Sequence, residues 1–444
     1  MKNNLITIIG FLFCVLLNAQ ENSSHSFSLQ EAIDYAKENN RTIKNADLSI
    51  LAAKQDVKAT TALGLPQING AVDYSTNLKT PFDDLEVDPD DPSNIIPFLY
   101  PKHQLTPAIQ LNQLLFDGGY IVGLQSNKVF LEISKNAKDK TVNQIETAVI
   151  SAYNNALLTK ESIVITQNNI TVLKDNLNET TKIFENGLTE EEDVEQLQIT
   201  LSSLEINLKN IETLHEISKG YLKVLLGLNP NDTITLTSDL ETLVTENISL
   251  NLISDNHDIT NNIDYKISTN EVTSKELEYK LQKAEQLPKL NAFVNASYLG
   301  NNENFGDFFK KEQEWYFFSG AGVSLTVPIF SSFGNKAKRQ KAKIEWEIAQ
   351  NNLLEQQNQL NVDVQNAKNE YNLAIETYAN KQKNLTLAEK IERKNTIKYR
   401  EGIASSFDLR QAQTQLYTIQ QEYLQSIIDV INKKAELKNL LNLK

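Results

Sequence analysis

Residues 287–298 read Leu-Pro-Lys-Leu-Asn-Ala-Phe-Val-Asn-Ala-Ser-Tyr, and their alternation decides the fold. Leu290, Ala292, Val294, Ala296 and Tyr298 oppose Asn291, Asn295 and Ser297, so an extended segment here has one apolar and one small polar face. Three other segments behave alike. Ile68, Gly70, Val72 and Tyr74 face away from Gln67, Asn69, Asp73 and Ser75. Ile109 and Leu111 alternate with Ala108, Gln110 and Asn112, and Ala321, Val323, Leu325, Val327 and Ile329 with Gly322, Ser324 and Thr326. Segments of ~10 residues with this pattern mark outer-membrane strands, although half-buried strands of a soluble sandwich alternate equally well. Two features favour the bilayer. Phe98, Tyr100, Trp315, Tyr316, Phe317 and Phe318 gather at strand ends, where an interfacial girdle sits. A polar or acidic loop, 79–103 or 301–314, joins each pair. Pro107 counts against the second strand unless that strand starts after it.

The strands belong to a duplicated chain. Leu65-Pro66-Gln67-Ile68-Asn69 matches Leu287-Pro288-Lys289-Leu290-Asn291, and Leu115-Phe116-Asp117-Gly118-Gly119 matches Ile329-Phe330-Ser331-Ser332-Phe333, followed by Gly334. Phe184-Glu185-Asn186-Gly187-Leu188 matches Tyr399-Arg400-Glu401-Gly402-Ile403, and each Gly is followed six residues later by an Asp, Asp193 or Asp408. Leu225-Leu226-Gly227-Leu228 matches Leu440-Leu441-Asn442-Leu443. The offset drifts only from 222 to 215 (287 − 65 and 440 − 225), a change that loop length absorbs.

Between these landmarks lie long helices. Residues 124–186, 188–219, 335–401 and 403–444 hold no proline, and the only glycines near them are at their borders. A helix of ~65 residues is ~100 Å long and must pack lengthwise on similar rods. Leu353, Leu360, Val364, Ala367, Tyr371, Ala374, Tyr378, Leu385 and Ala388 step mostly by three and four, as do Leu409, Ala412, Leu416, Ile419 and Tyr423 on the returning helix. That is a coiled-coil seam, and any coiled coil would show it.

The whole chain has 444 residues and a formal net charge of −14, which excludes a nucleic-acid partner because phosphate binding needs a basic face. Residues 1–20 read as a secretory signal peptide: Lys2, an apolar core from Leu5 to Leu17, and Ala19 before the cleavage point. Its ~13 apolar residues fall short of the ~20 that a spanning helix needs. Cys14 is the only cysteine and follows Phe13 rather than a small residue, so neither disulfide nor lipid anchor is expected. His25, His103, His215 and His257 are scattered, without a catalytic or metal-binding motif; an enzyme is not expected, nor a cofactor.

The resulting division is a signal peptide (1–20), an N-terminal helical region (21–64), a first membrane hairpin (65–116), a first long helical hairpin (117–228), an insert (229–262), a helix (263–286), a second membrane hairpin (287–330) and a second long helical hairpin (331–444). In lipid every backbone amide must be paired, and a barrel needs at least about eight strands, so four strands from one chain imply several copies sharing one barrel. The competing class is a periplasmic coiled-coil adaptor or scaffold, which would lack amphipathic strands and carry one helical hairpin rather than two.

The duplicated plan, the Leu-Pro strand openings and the run Tyr399-Arg-Glu-Gly-Ile-Ala-Ser-Ser-Phe-Asp-Leu-Arg-Gln-Ala412 resemble TolC-type outer-membrane factors, the outer membrane efflux proteins. The resemblance covers essentially the whole mature chain. It implies a mainly helical protomer whose four transmembrane strands contribute to a twelve-stranded barrel in a homotrimer. It also implies a periplasmic α-barrel of twelve helices that meets a periplasmic adaptor (membrane fusion protein) and, indirectly, an inner-membrane pump. Residues 229–262 look like the family's equatorial insert. The duct would sit in outer-membrane lipid of a Gram-negative bacterium and serve efflux or type I secretion.

For the sites, the glycines at 187 and 402 end helices, and the resemblance adds that Gly187, Leu188, Thr189, Gly402, Ile403, Ala404 and Ser405 meet the adaptor. Asp193 and Asp408 suit helix N-termini by charge alone; the resemblance implies an acidic ring at the periplasmic entrance, where Asp408 fits one family position. Gln411 stands where a second acid is expected, and Glu190, Glu191 and Glu192 supply charge on the other turn. Lys336, Lys338, Arg339, Lys341 and Lys343 open a helix whose dipole disfavours cations; a solvated face or a membrane rim with Trp315, Tyr316 and Phe317 accounts for them. Asp83, Asp84, Glu86, Asp88, Asp90 and Asp91 lack the glycine pattern of a calcium loop and read as a solvated loop.

Overall fold

The computed structural model describes residues 23–79, 101–254 and 258–443. The signal peptide and the acidic run from Asp83 to Asp91, with Phe98 and Tyr100, lie outside the described residues. In chain order the elements are β1 (Ser24–Phe27), α1 (Leu29–Asn39), α2 (Arg41–Ala62), β2 (Gln67–Thr76), β3 (His103–Phe116), α3 (Gly118–Glu185), α4 (Glu191–Leu226), β4 (Thr233–Leu236), α5 (Leu240–Asn247), α6 (Ile263–Ala284), β5 (Lys289–Asn302), β6 (Tyr316–Thr326), α7 (Gly334–Arg400) and α8 (Ser406–Leu441). Helices dominate, and α3 and α7 run for 68 and 67 residues, each about 100 Å at the α-helical rise. Among the described residues no helix is long and apolar enough to cross a membrane.

The chain forms two compact units. In the one built from residues 49–135 and 267–353, β2, β3, β5 and β6 make an antiparallel sheet in that order. Register pairs Ile68 with Leu111 and Val294 with both Leu111 and Ala321, so the apolar faces predicted for separate segments coincide across the sheet. Strand β3 passes through Pro107 rather than starting after it. Pro107 pairs with Val72 on one side, while the ladder to β5 skips Thr106 and Pro107, so the missing N–H falls where pairing is interrupted. Strand β6 ends at Thr326, before the predicted Val327 and Ile329, because Pro328 cannot extend the ladder. Residues of β2 and β6 are exposed almost throughout, on both faces.

The other unit holds the helical ends and the core. Each predicted seam residue on α7 and α8 is buried or half-buried. The core centres on Tyr153, Leu157, Leu222, Leu226, Tyr371, Ile427 and Ile431. Tyr153 and Tyr371 occupy matching places in the two repeats, 218 residues apart (371 − 153), and both are fully buried. The Tyr153 hydroxyl donates to the Phe27 carbonyl at 2.9 Å and accepts from the Ser238 amide at 3.2 Å. The Tyr371 hydroxyl donates to the Asn247 carbonyl at 2.5 Å and accepts from the Ser249 amide at 2.9 Å. The insert is thereby stitched to one long helix of each repeat.

Two more pairs repeat. Asn40 and Asn262 each accept amides of the following turn and donate Nδ2 at 2.7 Å to the carbonyls of Leu225 and Leu440, at the ends of α4 and α8. Gly227 and Asn442 then close those helices in the left-handed conformation. A parallel pairing of β1 with β4 has no counterpart in the sequence reading, since four-residue strands carry too little periodicity to register.

Between α3 and α8 the contact is polar along much of its length. Asn154 bonds Asn432 at 3.1 Å, Ser162 bonds Gln421 at 3.1 Å and Asn169 bonds Gln420 at 2.9 Å. Inside the α7–α8 hairpin, by contrast, the seam is mainly alanine, leucine and tyrosine, with Val364 and Ile419.

Candidate functional site at the helical turns

The two long hairpins reverse at Gly187 and Gly402, with φ of 74° and 70°. No atom lies near a Cβ added to either, so the left-handed backbone rather than crowding demands glycine. After Gly187, the Leu188 amide donates back to the Ile183 carbonyl at 3.1 Å, and after Gly402 the Ile403 amide donates to Lys398 at 2.8 Å. These bonds satisfy carbonyls that the helix ends would leave open. They also turn Leu188 and Ile403 outward, at 79% and 75% exposure.

The returning helices start differently. Ser405 caps α8 in a capping box with Asp408: the Ser405 hydroxyl accepts from the Asp408 amide at 3.2 Å, and the Asp408 carboxylate accepts from the Ser405 amide at 3.1 Å. These bonds from Ser405 hold the Asp408 carboxyl below its usual range, so it is anionic at neutral pH while remaining exposed. At α4 the cap is Glu190, whose side chain makes no cap bond. Asp193 instead accepts from the Thr189 hydroxyl at 2.5 Å and from Ser406 on the other hairpin. Glu190, Glu191, Glu192 and Gln411 are exposed.

Two more links join the hairpins near this level. The hydroxyls of Thr180 and Tyr399 meet at 2.8 Å, and Arg400 Nε lies 3.3 Å from Glu179. Burial pushes the Tyr399 hydroxyl above its usual pKa.

In the sheet unit, aromatic side chains cluster around the loop end. Tyr74 stacks on His103 and meets Phe305 edge-on; Phe308 packs on Trp315, and Phe317 on Tyr298. The Tyr316 hydroxyl donates to Glu314 at 3.0 Å. Lys336, Lys338 and Arg339 lie at the opposite end of β6 from Trp315, Tyr316 and Phe317, in the first turns of α7.

A profile of the outer membrane efflux proteins matches residues 32–228 and 261–443. The chain belongs to this family. The two matched stretches are the two repeats, and they leave out most of the insert. No curated protein matches the chain by sequence. Solved structures of outer-membrane and channel proteins share the fold. CusC superposes with a TM-score of 0.73 at 16% identity, covering 93% of this chain and 91% of CusC. The outer membrane protein VceC of Vibrio cholerae gives 0.72 at 15% identity, covering 93% and 95%. The CmeC outer membrane channel of Campylobacter jejuni gives 0.72 at 16% identity, covering 93% and 85%.

In this efflux protein the sequence reading missed Ser406, Thr180 and Glu179. Their partners lie 213 to 221 residues away, close to the repeat offset, and nothing local marks them. Family membership places the protein in the outer membrane as an efflux component, and a coiled-coil scaffold without strands is set aside.

Proposed function

We propose that three copies of this chain form a passive duct across the outer membrane, serving a tripartite efflux or type I secretion assembly. The observation that carries this is the open sheet. Strands β2 and β6 each leave one edge unpaired, and hydrocarbon tolerates no such edge. Neighbouring strands are antiparallel throughout, so β6 of one copy meets β2 of the next in the antiparallel sense, and the ring closes uniformly. Two copies would give eight strands, a bore that side chains fill; three give twelve and leave a lumen. The small residues Gly320, Gly322 and Ser324 line that lumen, and Val323 and Leu325 meet lipid.

The paired helices α3–α4 and α7–α8 then build a periplasmic tunnel. Exposed Leu188 and Ile403 support adaptor contact at the turns formed by Gly187, Leu188 and Thr189 and by Gly402, Ile403, Ala404 and Ser405, because an apolar side chain held outward on a fixed loop suits a partner surface. The inner-membrane pump is reached through that adaptor. Asp408, with Glu190, Glu191 and Glu192, gives the entrance a negative field that favours cations. A heat-resistant trimer in the detergent-extracted outer-membrane fraction, conducting in planar bilayers, is the expected result. A monomer released by osmotic shock would refute it.

A further inference from the structure

Where β6 gives way to α7 the chain does something its sister repeat does not. Ser332 and Phe333 both adopt positive φ, 51° and 68°, conformations that side chains other than glycine adopt at a cost. The strained turn throws Ile329, Phe330 and Phe333 outward, at 92%, 76% and 72% exposure. The two phenyl rings meet edge-on, 6.0 Å apart. In the other repeat the matching residues, Leu115 and Phe116, are 52% and 39% exposed, and the turn has no left-handed residue.

Charge sets this junction apart as well. Helix α3 starts behind Asp117, whose carboxylate accepts the amides of Gly119 and Tyr120, as the helix dipole favours. Helix α7 starts with no acid in its first turn and with Lys336, Lys338 and Arg339 on its opening turns. Lys341 and Lys343 pair with Glu345 and Glu347 one turn on, whereas among the described residues none of those first three cations has a carboxylate within ion-pair reach. The protein is strongly acidic overall, so an unneutralised basic cluster at a disfavoured position is a local reversal of sign.

We infer that Ile329, Phe330 and Phe333 form a wedge seated in the periplasmic leaflet of the outer membrane, with Lys336, Lys338 and Arg339 holding anionic phospholipid headgroups beside it. The inference rests on the duct reading and adds the lipid class to it. Lipid is the occupant that the surroundings favour. Val323 and Leu325 lie on the apolar side of β6, and Val327 and Ile329, just beyond its end, are exposed at 48% and 92%, so the wedge adjoins the lipid-facing surface. Aromatic rings at the depth of the headgroups with cations just outside them is the arrangement an interface rewards.

The test uses the full-length channel with Cys14 replaced by Ser and an environment-sensitive fluorophore on Phe330→Cys. Ser332→Cys serves as a second labelling site should the first misfold. The protein is reconstituted in phosphatidylethanolamine vesicles doped with brominated phosphatidylglycerol or, separately, brominated phosphatidylcholine. Each surface cation is worth about fivefold in affinity for an anionic bilayer, so the three together should make quenching by phosphatidylglycerol exceed that by phosphatidylcholine on the order of a hundredfold in half-effective lipid fraction. The variant K336Q/K338Q/R339Q should bring the two within about twofold. Equal quenching by both lipids in the parent protein overturns the anionic preference. Absence of quenching in a conducting channel overturns the wedge and assigns the patch to a neighbouring copy. Failure of the parent protein to conduct at all sinks the duct reading, and the anchor with it.

Discussion

Three links tie the first helical hairpin to the second at the turns, and removing them should let the hairpins part. The perturbation is the triple variant S406A/Y399F/R400Q. The Asp193 carboxylate accepts from Ser406, and a hydrogen bond to a charged acceptor contributes about 1.5–3 kcal/mol. Asp193 is only half-buried, so the lower end applies, about 1.5 kcal/mol. The Thr180–Tyr399 bond joins two neutral hydroxyls, one fully buried, and adds about 1 kcal/mol. Arg400 and Glu179 are both largely exposed, and their pair contributes about 0.5 kcal/mol. The sum, about 3 kcal/mol, corresponds to a shift of roughly a hundredfold toward separated hairpins. Two assays read it. Amide exchange across residues 402–412 should accelerate, and single-channel recordings should show a larger fraction of time in the highest conductance level. Unchanged exchange together with unchanged conductance would refute the reasoning, because it would mean that the links carry no free energy between the hairpins.

Removing one hydroxyl in Tyr371→Phe should orphan the Asn247 carbonyl and the Ser249 amide while leaving the packing intact; a loss of about 1–3 kcal/mol is expected, read as faster amide exchange around Ser249. For the entrance, Asp408→Asn keeps the shape of the capping box and removes its charge, whereas Asp408→Ala removes both. Divalent-cation block of conductance should weaken in both variants, and only the alanine variant should fray the start of α8, seen by amide exchange. Burial, with Lys219 beside it, depresses the His215 pKa below that of an unfolded histidine, so the unfolded chain takes up the extra proton first. Stability should therefore fall as pH drops through the mid-sixes, and His215→Gln should flatten that part of a melting-temperature profile against pH.

The long helices and the main sheet were legible because their periodicities persist over many residues, and chance does not sustain such patterns. Strands β1 and β4 were not, because four residues give only two points per face. Asp193 and Asp408 show where sequence symmetry misleads. Each follows its glycine by six residues, yet Ser405 offers Asp408 a local hydroxyl while the matching Glu190 has none to give. Asp193 is left to bond Thr189 and to reach across to Ser406. One side chain three positions upstream turns one carboxylate into a cap and the other into a bridge, and only the fold reveals where the bridge lands. The proline in β3 is the reverse case, a local signal overruled by a gap in the ladder.

The amide-rich boundary between α3 and α8 bears on how a doubled molecule sorts itself. The two similar hairpins of one chain must pack in their proper register, and greasy surfaces accept nearly any mate. Matched Asn, Gln and Ser side chains are more exacting: slipped by one turn, Asn169 would face Leu416 or Leu424 in place of Gln420. The register between the hairpins is thus favoured by the penalty on a slip, and the weaker glue is the more selective.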